Sequence, residues 1–337
     1  MIPVSRREKD PLTGLEVCYV TDWSEPSRKT YFTNEAWRSD NQAIVFLSER
    51  GGTESTPVRV WMAVDGEFVL LTAGEGWDAA SFGMDRARDV GYITRGQEIW
   101  QIDLHTGEAE PLAHLPFEGR ATGHLSCSRS GRIVGGYRLR RGYYVLAATE
   151  LDGSSKILMR SDTPLGHVQA CPGDDKTIFY VHETGGDAVQ RTWLYDMELG
   201  EYRPYYIEDE DDWITHETWD HSGDFVYFIK HPHAILRGDR EGKHFEPVVE
   251  GDYHHCAPSP TGKWIVADRT WTGEILLIDA IHHRVFTIAA GQGATRGEDH
   301  CHPSFNRRGD EVLFTAPCGG NPQVAFIDLK QLNEFAP

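Results

Sequence analysis

What most constrains this chain is a repeat. From about residue 31 onward, short apolar segments return with a period of roughly 40–48 residues, the spacing of propeller blades and similar arrays. Unit one carries Ala43-Ile44-Val45-Phe46-Leu47, unit four Thr177-Ile178-Phe179-Tyr180-Val181, unit six Trp264-Ile265-Val266-Ala267-Asp268, and unit seven Glu311-Val312-Leu313-Phe314. These segments are β-branched and aromatic, and Gly/Asp turns such as Asp65-Gly66, Thr106-Gly107 and Asp152-Gly153 separate them, which reads as strands rather than helices. No long amphipathic helix is expected. Seven four-stranded blades need about 300 residues, which fits a chain of 337. The predicted fold is therefore all-β, a seven-bladed β-propeller of four-stranded antiparallel blades around a central channel. It is expected to be one domain over 1–337, with 1–30 as an N-terminal segment. That segment reads as charged and irregular, apart from a strand over Gly14–Thr21 that would supply the missing pairing of blade seven and close the ring. Unit two is the least regular, which leaves six or eight blades as alternatives.

Five histidines fall in one register of this repeat. His124, His216, His255 and His302 each stand seven residues before a turn glycine (Gly131, Gly223, Gly262, Gly309), and His167 stands seven before Asp174. Each sits at the start of a blade's first strand. In a propeller that strand lines the axis, so the five should converge on one mouth of the channel. A repeated histidine can also be a structural hydrogen-bonding residue, but five in register, with His254 and His300 beside them, favour a site.

His255, His300 and His302 have the character of metal ligands from adjacent blades, since imidazoles suit Mn, Fe, Co, Ni or Zn better than Ca or Mg. Glu298 or Asp299 offers a fourth, oxygen ligand. The pair His300-x-His302 on a strand projects to one side because the side-chain period is two. A second pair, His231-Pro232-His233, has no partner in register and reads as a surface loop. His216, between Trp213 and Trp219, is a candidate general base near neutral pH. Arg191, at the start of the third strand of blade four, faces the same mouth. It suits a carboxylate-bearing ligand, or alternatively an ion pair with an Asp of blade five.

The bulk numbers narrow the partners. A net charge of -19 disfavours nucleic acid and anionic membranes. No apolar run approaches the roughly 18 residues of a membrane span, and the N-terminus has no signal-type core. Six cysteines without a CxxC pair are expected as reduced thiols in a cytoplasmic protein, monomeric or a homodimer.

Taken together, Tyr31-Phe32-Thr33-Asn34, Gly166-His167-Val168-Gln169, His216-Glu217-x-Trp219 with Ser222-Gly223, His255 followed by Gly262, and His300-Cys301-His302-Pro303-Ser304-Phe305 resemble the oligogalacturonate lyases. That family consists of seven-bladed propeller polysaccharide lyases, and the resemblance covers most of the chain. It implies a bound divalent transition metal, most often manganese, and cleavage of short uronate chains by β-elimination. It implies His216 as catalytic base, Arg191 as catalytic arginine, and His255, His300 and His302 as metal ligands, with His124 and His167 expected to contact a small acidic oligosaccharide. The family's pattern has a glutamine ligand three positions before the first His of the pair. Here that position is Gly297, and Glu298 or a water is the expected replacement. Two alternatives stay open: a metal-dependent enzyme on the same scaffold with another sugar acid, and a non-catalytic binding propeller. A peptidase propeller is disfavoured because no G-x-S-x-G elbow follows.

Overall fold

The computed structural model describes residues 1–140, 142–184, 189–269, 271–290, 300–332 and 335. They form seven antiparallel sheets, and the only helical elements among them are two single 3-10 turns. The innermost strands are Ser27–Lys29, Trp77–Asp85, the interrupted pair Gly119–Ala121 and Ser126–Cys127, Leu165–Ala170, Ile214–Trp219, Cys256–Pro258 and Ser304–Phe305. Successive sheets touch around a closed ring. Seven separate apolar clusters lie between blades, each shared by two neighbours. Trp37, Ile44 and Phe46 of blade one meet Leu313 and Phe326 of blade seven in one, and Trp264 and Val266 of blade six meet Val312 and Phe314 in another. Each fully buried Phe or Leu there contributes about 1.5–3 kcal/mol, so the clusters hold the blades face to face.

Ring closure follows the sequence expectation. Glu16–Tyr19 pairs antiparallel with Gln323–Asp328, through Cys18 opposite Phe326 and Tyr19 opposite Ala325. The N-terminal segment is more ordered than its charge suggests. Arg6–Lys9 pairs outside Glu16–Tyr19 as a fifth strand of blade seven, and Ser27–Lys29 is already the innermost strand of blade one. Arg6-Arg7-Glu8-Lys9 shows no apolar alternation because it is a solvated outer edge, where charge discourages further pairing. Unit two is a regular four-stranded blade. Its inner strand is nine residues long and shifts register between Asp78 and Gly83, which hides its periodicity in the sequence.

Blade one departs from the others in a way that shapes the channel. Lys29 pairs with Phe46 and Trp37 with Ile44, so the partner advances by two residues while the inner strand advances by eight. The extra length, Thr30 to Ala36, leaves the sheet and enters the axis, carrying Tyr31, Phe32, Thr33 and Glu35 among the inner strands of other blades.

Candidate metal centre and cavity

The register histidines do converge. Tyr31 lies 4.8 Å from the His302 ring, 5.5 Å from His167, 6.2 Å from His124 and 6.3 Å from His255 (centroid to centroid). Phe32 lies 5.0 Å from His255 and 6.1 Å from His216. Four of the five turn positions use glycine with positive φ, as the spacing implied: Gly131, Gly223, Gly262 and Gly309.

Local backbone aims the rings. His167, His216 and His302 all have left-handed φ, between 44° and 54°. For His167 and His216 the cause is a bulge: pairing skips from Gly166 to Gln169 in blade four and from Thr215 to Thr218 in blade five. A side chain in that conformation is turned out of the ordinary strand alternation, at a cost that surrounding packing must offset. His300-x-His302 precedes its strand, which begins only at Ser304, so the two rings meet through irregular backbone rather than through strand alternation.

Two overlapping groups of three histidines result, His255 with His300 and His302, and His255 with His216 and His254. Within each group one ring nitrogen from each histidine lies within 4.8 Å of the others. Ring centroids are 4.1 Å apart for His216 and His255, 4.1 Å for His254 and His255, and 4.4 Å for His255 and His302. Burial pushes His216, His255 and His302 well below the ordinary histidine range, and neighbouring imidazoles push them further. Burial likewise lowers His254 and His124, each to about 4. All five are therefore neutral near pH 7, and a neutral imidazole carries the lone pair that a cation needs. His216 Nδ1, His255 Nε2 and His302 Nε2 are buried and make no hydrogen bond among the described residues. Such orphaned acceptors are costly unless a ligand meets them, so these residues fit an imidazole-bound cation.

Two carboxylates behind the rings set their orientation. Asp268 receives the His255 backbone N–H at 2.7 Å and takes His255 Nδ1–H at 3.1 Å on each oxygen, which directs the Nε2 lone pair into the cluster. Burial raises the Asp268 carboxyl to about 6. Glu217 is wholly buried. It accepts from His167 Nδ1 at 2.7 Å and from Arg191 Nε at 2.9 Å. Burial alone would raise its carboxyl, but Arg191 and then His167 hold it well below the usual carboxylate range. The remaining guanidinium nitrogens of Arg191 meet Glu183 at 3.2 and 3.3 Å. Arg191 is therefore buried with two carboxylates and does not line the adjoining cavity, and its blade-five partner is a glutamate rather than an aspartate.

A cavity of about 700 Å3 opens beside the cluster, and its wall includes Lys29, Tyr31, His124, His167, Glu183 and His302. His300 also lines it; among the described residues His216 and His255 do not. His124 is fixed by Thr33 Oγ1 at 2.6 Å on Nε2 and by the Leu125 carbonyl at 3.0 Å on Nδ1. Glu298, Asp299 and Gly297 lie outside the described residues. His231-Pro232-His233 is a turn between two strands of blade five, with His233 exposed, as the sequence suggested. All six cysteines are free thiols, and no helix among the described residues is long and apolar enough to cross a membrane.

The repeat period does not mark Lys29, Asp268 or the channel-filling role of Tyr31 and Phe32. Asp268 left a trace, a lone carboxylate closing the otherwise apolar strand Trp264–Asp268.

No family model matches the chain. It is 21% identical to an oligogalacturonide lyase of Pectobacterium atrosepticum over an alignment of 372 positions, and 21% identical to an oligogalacturonate lyase of Dickeya dadantii over 377; both alignments cover 94% of either chain. Among solved structures, an oligogalacturonate lyase in complex with manganese superposes with a TM-score of 0.85 at 20% identity, covering 97% of each chain. The resemblance to the oligogalacturonate lyase family read from the sequence thus extends over nearly the whole chain, and the seven-bladed fold comes with it.

Proposed function

We propose that this protein is a metal-dependent lyase that cleaves short oligogalacturonides by β-elimination and releases an unsaturated uronate product. The observation that carries the reading is the pair of buried, unpartnered Nε2 atoms of His255 and His302, grouped with His300 beside a cavity large enough for a sugar. His255, His300 and His302 would hold the cation, manganese by similarity to the lyase solved with that metal; Glu298 is the proposed oxygen ligand. When bound, a divalent cation stabilises the negative charge that develops on a uronate carboxylate as the adjacent proton leaves.

The chain's own groups do the rest. His216 is neutral at pH 7 because burial and then His255 disfavour its charged form, so it can accept the C5 proton. Elimination then expels the 4-O-linked sugar without a nucleophilic water, so no glycosidase-type carboxylate pair is needed. Arg191 reaches a substrate carboxylate only where Glu183 gives way, because its outer nitrogens already carry that side chain. His124 and His167 line the cavity and are the proposed sugar contacts. Six free thiols suit the cytoplasm as the site of action.

A second reading is favoured by one observation: His216 belongs to the group with His254 and His255, so it could ligate the cation instead of acting as base. The variant His216→Ala separates the two. Lost absorbance of the unsaturated product with metal content unchanged supports the base, whereas loss of both supports a ligand. Retained activity removes His216 from the mechanism.

A further inference from the structure

This inference rests on the reading of the cavity as a uronate site. A chain of net charge -19 that takes an anionic sugar needs local cations that are not already neutralised. Most cations at the cavity fail that requirement. Arg120 carries Asp78 at 3.0 Å, and Arg28 carries Glu49 at 3.1 Å. Arg138 stands exposed to water on the rim. Arg191 lies off the cavity wall and carries both Glu217 and Glu183.

Lys29 differs from all of these. It lines the cavity, is 2% exposed, and ends the inner strand Ser27–Lys29, where its backbone N–H donates to Thr315 Oγ1 at 3.0 Å. Its ammonium donates to the Thr30 carbonyl at 3.1 Å and has no carboxylate within ion-pair distance among the described residues. Two of its three N–H donors have no partner among the described residues. Burial brings the amine down to about 7, with only the charge of Glu35 acting the other way. A lone buried ammonium is expensive, and an incoming carboxylate would offset that cost where a neutral sugar would not.

We propose that Lys29 is a specificity-determining residue whose ammonium binds a carboxylate of the uronate substrate within the cavity, separately from Arg191. The test uses Lys29→Met, which keeps the length of the side chain without its charge, and Lys29→Gln as a second folded control. Removing an unpaired buried charge should leave the melting temperature equal or higher, and metal content should not change. Calorimetry on metal-loaded protein would use galacturonate, which has no 4-O-linked sugar to expel, and galactose as the neutral comparison, with digalacturonate turnover followed in parallel. Wild type should prefer galacturonate, and both variants should lose that affinity on the order of 10- to 100-fold, the effect of one charge-assisted contact. Equal galacturonate affinity in folded variants and wild type, or no binding by wild type, overturns the role of Lys29. If all three proteins cleave digalacturonate with the same KM, Lys29 fails and the lyase reading stands. If wild type binds galacturonate through Lys29 but does not cleave digalacturonate, the lyase reading fails and Lys29 stands.

Discussion

Consider Asp268→Asn. The carboxylate does two jobs in the structure: it accepts the His255 backbone N–H at 2.7 Å, and both its oxygens face His255 Nδ1 at 3.1 Å. An acceptor there keeps the proton on Nδ1 and leaves Nε2 with a lone pair facing the cluster. An asparagine retains one oxygen for the backbone, but it places an NH2 donor where the second oxygen stood. That donor favours the opposite tautomer, in which Nε2 carries hydrogen and cannot ligate. Loss of such a partner typically weakens metal affinity by about 10- to 100-fold, or about 1.4–2.7 kcal/mol. Stability should change little. Burial already disfavours the Asp268 charge, raising its carboxyl to about 6, and the backbone bond survives. The assay is manganese titration by calorimetry on chelator-stripped protein, with thermal melting of the stripped form as control. A manganese Kd within twofold of wild type, at unchanged melting temperature, would refute the claim that Asp268 orients a metal-binding His255.

Glu217→Gln should destabilise the fold by about 1.5–3 kcal/mol, because buried Arg191 keeps Glu183 but loses its charge-assisted bond to the wholly buried Glu217; urea unfolding would measure it. The folded Glu217 carboxyl is held below its usual value. Its contribution is therefore present above about pH 4.3 and is lost as the pH falls through the lower folded value, so the wild-type advantage over Glu217→Gln should shrink in acid. Gly83→Ala should cost about 3 kcal/mol, since its Cβ would fall 1.8 Å from the Leu125 carbonyl oxygen in the next blade. That carbonyl also holds His124 Nδ1, so weakened sugar binding should accompany the lowered melting temperature.

Much of this architecture was legible because a propeller writes its period into the chain. The apolar strands Ala43–Ser48, Thr177–His182 and Trp264–Asp268 return at blade spacing, and His124, His167, His216, His255 and His302 keep register with the turns. What stayed hidden departs from that period. The segment Thr30 to Ala36 reads as irregular text because it leaves its sheet to fill the axis. The bulges at His167 and His216 break the alternation from which side-chain direction is read. Lys29, Glu217 and Asp268 are charges whose burial comes only from tertiary packing, and a sequence places such residues in water by default.

On the proposed function, His255, His300 and His302 hold a divalent cation needed for elimination from a uronate. The most direct measurement strips the protein with a chelator, adds manganese in steps, and follows both binding stoichiometry and the ultraviolet absorbance of unsaturated product from digalacturonate. One equivalent should bind, product formation should rise with it, and both should be lost in His302→Ala. Full activity in the stripped protein, or manganese binding unchanged in His302→Ala, would contradict that function.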